Sequence, residues 1–196
     1  MKKTLALFMM ALTISGYAQK IKLLEGDLSP LKGQKSIRTE FTYDNMVVGK
    51  DKTEESYIQE KKAKLNEKEA GKGDKWEQDW VDDRKNRFEP QFRELFAKNS
   101  EMTTADDNAT YTLIFKTTRT EPGYNIGITK QPAMIDGEAW IVETANKDKV
   151  IAKISIQKVP GSQVMGYDFD TGTRLQESYA KSGKDLAKFI VKTNKK

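Results

Sequence analysis

Aspartates come nearest to a recognisable chemical spacing in this sequence. Asp168-Phe169-Asp170-Thr171-Gly172 has the Asp-x-Asp interval used by calcium loops and by phosphoryl-transferring hydrolases. A calcium loop needs further oxygen ligands and a closing glutamate, and the match stops at Gly172. The hydrolase pattern would put Gly-Thr, not Thr-Gly, after the second aspartate, behind a buried strand. Capping of a helix N-terminus by Asp170 or Thr173 accounts for the segment better. Asp106-Asp107-Asn108 reads as a turn. Gly71-Lys72-Gly73-Asp74-Lys75 lacks both the spacing and the preceding strand of a phosphate loop.

The chain has no histidine and no cysteine. Ser-His-Asp and Cys-His nucleophilic sites are therefore excluded. So are nearly all structural zinc sites, His-ligated catalytic zinc, and haem held by His or Cys. A pair of carboxylates could still serve a glycoside hydrolase, but nothing selects two of the 29 acidic residues. No catalytic residue, metal ligand or cofactor is assigned. The remaining candidates are aromatic. Trp76, Trp80, Arg84 and Phe88 recur at steps of four, one continuous stripe on a helix. Such a stripe packs into a core, or presents an exposed stacking platform of the kind sugar-binding surfaces use. Trp76, Trp80 and Tyr124 are the candidate ligand-binding residues under the second reading.

These residues must be positioned by a sheet and helices. Thr110–Arg119, Gly137–Ala145 and Val150–Lys158 show the period-2 alternation of strands. The first places Tyr111, Leu113 and Phe115 on one face, and the third places Val150, Ala152, Ile154 and Ile156 on one face. Gly137–Ala145 is apolar on both faces, which suits a central strand. Asn146-Lys147-Asp148-Lys149 is a short polar turn between the last two. Ser36–Tyr43 alternates as well, and a short strand over Lys20–Leu24 is possible. The expected fold is α+β: an antiparallel sheet of about four strands, covered on one face by helices. The cover is Thr173–Lys192, whose Leu175, Tyr179, Leu186, Phe189 and Ile190 have helical spacing. Gly183 either lets this helix approach the sheet closely or kinks it.

Lys50–Lys98 forms a charged helical insert after the Ser36–Tyr43 strand. Asp51 followed by Glu54 reads as a helix start, and Ala70-Gly71 as its end. Asp74 and Glu77 read as the next start. Pro90 fits the first turn of a further helix carrying Phe92, Leu95 and Phe96. Glu121–Asp136 is long for a hairpin connection. With Tyr124, Ile126, Ile128 and Met134 it reads as a strand extension with a bulge or as a binding loop.

Met1–Ala18 has the layout of a secretory signal. Lys2 and Lys3 precede an apolar run over Leu5–Ile14, and Gly16 and Ala18 are small where a signal peptidase reads. That run is too short to span a bilayer, and without cysteine the protein is not a lipoprotein. The expected organisation is a signal peptide over 1–18, an extended lead-in over 19–35, and a single α+β domain over 36–193. The expected location is periplasmic or extracellular, with no transmembrane segment in the mature chain. The formal charge is +5, and Lys2 and Lys3 would leave with the signal. Lys184, Lys188, Lys192, Lys195 and Lys196 fit a solvated helix face and tail, or attraction to anionic envelope lipid or polysaccharide. Export and the mild charge argue against nucleic acid as a partner.

Ala18-Gln19 after the signal, the Gly71–Trp76 break and the run Glu177-Ser178-Tyr179-Ala180-Lys181-Ser182-Gly183-Lys184-Asp185-Leu186 carry a resemblance. Together they resemble a family of uncharacterised secreted proteins of Gram-negative gut-type bacteria. The resemblance spans most of the mature chain and implies export without implying an activity or a site. The order strand, helices, three strands, helix is similar to small α+β modules of envelope-assembly factors, an analogy of fold from which function does not follow. The expected role is a non-catalytic exported module binding a partner protein or a cell-envelope component. A carbohydrate-binding or adhesive protein using exposed aromatics is the alternative, and a carboxylate-dependent hydrolase the second alternative.

Overall fold

The computed structural model describes residues 19–125, 129–161 and 170–195. The signal-like segment, Ile126, Ile128 and Asp168-Phe169 lie outside the described residues. In chain order the strands and helices are β1 (Lys20–Gly26), β2 (Arg38–Thr42), β3 (Val47–Val48), β4 (Lys52–Thr53), α1 (Glu54–Asn66), α2 (Lys72–Asp83), α3 (Glu89–Ser100), β5 (Tyr111–Glu121), β6 (Tyr124–Asn125), β7 (Lys130–Gln131), β8 (Met134–Glu143), β9 (Val150–Pro160) and α4 (Thr171–Asn194).

Alternation in β5, β8 and β9 builds the centre of one sheet. Cross-strand pairing aligns Leu113, Ile141 and Ala152 in one row and Phe115, Ala139 and Ile154 in the next. All six side chains are fully buried. Each row thus sets an alanine beside larger aliphatic or aromatic residues, so the side chains interdigitate across the strands. The opposite face carries Ile114, Trp140 and Lys153 in one row. There the ammonium groups of Lys116 and Lys153 lie 3.1 and 4.6 Å from the centre of the Trp140 ring. The two faces of the sheet therefore differ as period-2 patterning requires.

The sheet departs from the expected four antiparallel strands. It has seven strands in the order β1-β9-β8-β5-β3-β4, with β2 also paired to β5. It is mixed, because β2 and β3 both run parallel to β5. The reason is the connection. A parallel neighbour needs a long crossover, and the three helices between β4 and β5 supply one. Alternation within Ser36–Tyr43 reveals a strand but not its direction relative to a partner. The short strand allowed over Lys20–Leu24 is β1, which runs to Gly26 and forms the sheet edge against β9. After it comes a 3₁₀ turn over Ser29–Leu31, and Leu28 and Leu31 are buried.

The starts of α1 and α2 are set by residues other than the expected ones. The cap of α1 is Thr53, whose side chain accepts from the Ser56 N–H at 3.2 Å, rather than Asp51. The same helix ends at Asn66, before Ala70-Gly71, and the Asn66 side-chain oxygen accepts from the Gly73 N–H at 2.6 Å. That bond anchors the first turn of α2, which starts at Lys72 behind Gly71 in a left-handed conformation, ahead of Asp74. Pro90 does occupy the first turn of α3, and Phe92 and Phe96 are fully buried.

The cover is α4, as its stripe requires. Leu175, Tyr179, Leu186 and Ile190 are at most 2% exposed, while Lys184, Lys188 and Lys192 point to solvent. The Tyr179 hydroxyl is 2.8 Å from the Thr117 hydroxyl, joining the helix to β5. Gly183 does not break the helix, which is continuous from Thr171 to Asn194. Its close approach is to the backbone of α3 at Phe92, not to the sheet. The helix layer is thus α3 beside α4, with α4 laid on β5, β8 and β9 and α3 on β2 and β5.

Candidate functional site

A cleft of about 470 Å³ opens between α2, the segment Arg84–Phe88 that follows it, and the start of α4. Its apolar wall is Trp76, Trp80, Phe88 and Leu175, and its polar wall is Lys75, Asp79, Asp83, Arg87 and Asp170. The arrangement follows from helix periodicity. Trp76, Trp80 and Phe88 lie on one stripe at steps of four. Lys75, Asp79, Asp83 and Arg87 repeat the same steps one residue earlier, so the two stripes run side by side.

The geometry changes at Arg84–Phe88, which is a π-helical segment joining α2 to α3. Pro90 explains its position. Proline has no N–H to return to the carbonyl four residues back, and its ring crowds that carbonyl. The wider π turn just before it takes up the mismatch, as such turns often do at functional sites. Arg87 lies in this segment. Its Nε is 2.9 Å from Asp83, and its Nη1 donates to both Asp170 carboxylate oxygens at 3.2 and 3.0 Å.

Asp170 caps α4, accepting from the Thr173 N–H at 3.0 Å and from the Thr173 hydroxyl at 2.6 Å. Next to it, Gly172 is required by the site. A β-carbon there would stand 2.8 Å from the Asp83 carboxyl carbon, so any larger residue would displace Asp83 from Arg87. The two carboxylates flanking Arg87 are driven apart in acidity. Burial raises the Asp83 carboxyl against the pull of Arg87. Partial burial would raise Asp170 too, but the Thr173 and Arg87 hydrogen bonds outweigh it and hold Asp170 at about 2. At the rim, the Lys75 ammonium reaches both Asp79 oxygens at 3.0 and 2.9 Å.

A prediction follows for the cap. Asp170→Ala is expected to cost about 1 kcal/mol at neutral pH, the usual value for losing an N-cap acceptor. The acidic groups give it a pH signature. A carboxyl whose pKa is depressed on folding stabilises above its unfolded pKa and loses that contribution as pH falls through the folded one. Thermal melts of wild type and variant are therefore expected to converge between about pH 4 and about pH 2. Asp83, with its raised pKa, acts in the opposite sense and loses stability as pH rises.

The aromatic candidates divide. Trp80 is 7% exposed, and its indole N–H donates to Glu54 at 2.6 Å. Trp76 is half-buried, with Tyr57 edge-on at 5.8 Å and Trp80 behind it at 5.5 Å. Tyr124 is 48% exposed on β6, which pairs with β7, and it does not line the cleft. The structure brings Trp76 and Trp80 together and leaves Tyr124 elsewhere. Sequence patterning does not name Asp79, Asp83 or Arg87, and it marks Gly172 only as the end of an Asp-x-Asp segment. The step-of-four charged stripe beside the aromatic one was the available signal for the first three. Among the described residues no group of three or more acidic side chains is placed to hold a metal ion, and no helix is long and apolar enough to cross a membrane.

No family model matches the chain, and no curated protein matches it. Among solved structures, the PelC dodecamer from Paraburkholderia phytofirmans is similar over 87% of this chain and 98% of that chain, at 9% identity and a TM-score of 0.40. A single-residue variant of that dodecamer gives 8% identity and a TM-score of 0.40, over 90% of this chain and 98% of that chain. Protein XCC0632 from Xanthomonas campestris, of the family DUF330, covers 55% of this chain and 61% of its own, at 14% identity and a TM-score of 0.37. At this identity and TM-score the likenesses assign neither a family nor a function to the chain.

Proposed function

We propose that this chain is an exported, non-catalytic binding module, and that its binding site is the cleft between α2, the π-helical segment and the start of α4. The observation that carries this reading is the meeting of two unlike walls in one cavity of small-molecule size. One wall is aromatic and the other is charged, the combination that orients a ligand by a few polar contacts over an apolar surface. Export is inferred from the layout of Met1–Ala18, and the occupant is then a component of the cell envelope or a partner protein within it.

A hydrolase would also want carboxylates of divergent acidity in one cleft, and Asp83 and Asp170 have that property. Here, however, Arg87 is bound to both. A proton donor and a nucleophile both committed to one guanidinium favour holding a ligand over cleaving it. The test uses the mature protein immobilised and exposed to envelope extract, beside Trp76→Ala. Capture that drops at least tenfold in the variant supports the cleft. Equal capture by both proteins overturns it. Mass spectrometry of the protein from its native envelope tests export separately, with an N-terminus at Gln19 as the expected result.

A further inference from the structure

We infer that the occupant of the cleft is an uncharged glycan, a deduction that rests on the binding-module reading above. Three features point to it. The first is the Trp76 ring. It is held in place by Tyr57 and Trp80 while remaining half-exposed, so it offers a fixed flat surface to the C–H face of a sugar ring. Fixed aromatic rings lose little conformational entropy when a ligand stacks on them.

The second is the pairing of charges along the polar wall. Lys75 is paired to Asp79, and Arg87 is paired to Asp83 and Asp170. Each charge in the wall thus has its opposite within the wall. A charged ligand would have to break one of these pairs and leave a partner uncompensated. A hydroxyl does not, because it donates to a carboxylate and accepts from an ammonium or guanidinium at the same time. Vicinal hydroxyls bridging such pairs would gain charge-assisted hydrogen bonds without adding charge.

The third is spacing. Lys75, Asp79, Asp83 and Arg87 succeed one another by one helical turn, about 5–6 Å between neighbours, which is comparable to the repeat of consecutive sugar units in a chain. A lipid tail would gain nothing from this wall, and an acidic ligand would meet three carboxylates against two cations.

The experiment is titration of the mature protein with maltotetraose, cellotetraose and N-acetylated chitotetraose, followed by tryptophan fluorescence and calorimetry. Binding of at least one neutral tetrasaccharide is expected. Trp76→Ala is expected to weaken it at least tenfold, and Asp79→Asn, at an exposed rim position that keeps the fold, about threefold or more. Trp140→Ala, on the other face of the sheet, is expected to leave it unchanged. Loss of binding in Trp140→Ala equal to that in Trp76→Ala would overturn the assignment. Periodate and protease treatment of envelope extract separate the two claims. Trp76-dependent capture abolished by periodate supports a glycan. Trp76-dependent capture that survives periodate and is lost to protease rejects the glycan and leaves the cleft as the binding site. Capture that ignores Trp76 removes both.

Discussion

Gly183→Ala is expected to destabilise the protein by more than about 3 kcal/mol, beyond the usual range for overpacking, although the same change in a solvent-facing helix gains about 1 kcal/mol. The sign is decided by what lies beside the glycine. A β-carbon at Gly183 would be 3.0 Å from the Phe92 carbonyl carbon and 3.1 Å from its α-carbon, with the carbonyl oxygen closer still. These are backbone atoms in the middle of α3, so no rotamer change relieves the clash. The helices must separate. Phe92 would be drawn from its contacts with Phe41 at 5.2 Å and Phe115 at 4.9 Å, and the whole helix layer would lose its seating on the sheet. Gly183→Val is expected to give no soluble protein. Urea denaturation followed by circular dichroism checks the alanine variant. A midpoint equal to or above wild type, at unchanged slope, would show that α3 and α4 do not meet at this glycine.

The same contact shows what sequence can and cannot specify here. Period 2 in Thr110–Arg119, Gly137–Ala145 and Val150–Lys158 located β5, β8 and β9, and the polar turn at Asn146–Lys149 located their hairpin. The stripe Leu175, Tyr179, Leu186, Ile190 located α4 and its buried face. These signals are local, since each is a repeat within one element. A small residue on a stripe, by contrast, marks a close approach without naming the partner. Gly183 pointed to a packing surface, and only the three-dimensional arrangement makes that surface α3 rather than the sheet. Strand direction behaves alike, because Arg38–Thr42 alternates identically whether its neighbour runs parallel or not.

The candidate site was legible only in halves. Trp76 and Trp80 stood out as a stripe. Asp170 stood out as a cap, which it is. Nothing in the sequence joins residues of α2 to a cap so far along the chain, and Arg87 joins them through a π-helical turn whose only local sign is Pro90. Even the glycine of Asp170-Thr171-Gly172 has a reason visible only in space, namely the carboxylate of Asp83 against it.

The wall that supports Trp76 depends on Glu54, and Glu54→Ala is expected to lower stability by about 2–3 kcal/mol. One Glu54 oxygen accepts from the Trp80 indole N–H at 2.6 Å and also from the Arg84 guanidinium. The guanidinium in turn lies 4.2 Å from the centre of the Tyr43 ring. Removing one partner of a fully buried ion pair costs about 3–5 kcal/mol because the other charge is stranded. Here the side chains of Arg84 and Glu54 retain 18% and 21% exposure, so water recovers part of that loss and the lower figure applies. For a chain of this size it corresponds to a melting temperature lower by roughly 5–10 °C. Glu54→Gln separates charge from geometry, because its amide oxygen can still accept from Trp80 while the Arg84 charge goes unmatched. Its expected cost lies between wild type and Glu54→Ala. The site adds a second readout. Trp80 backs Trp76 in the cleft, so loosening Trp80 is expected to red-shift tryptophan emission and to weaken ligand capture in Glu54→Ala more than in Glu54→Gln. If both variants melt with wild type, Glu54 is not the group that fixes Trp80, and the aromatic wall is held by ring packing with Tyr57 alone.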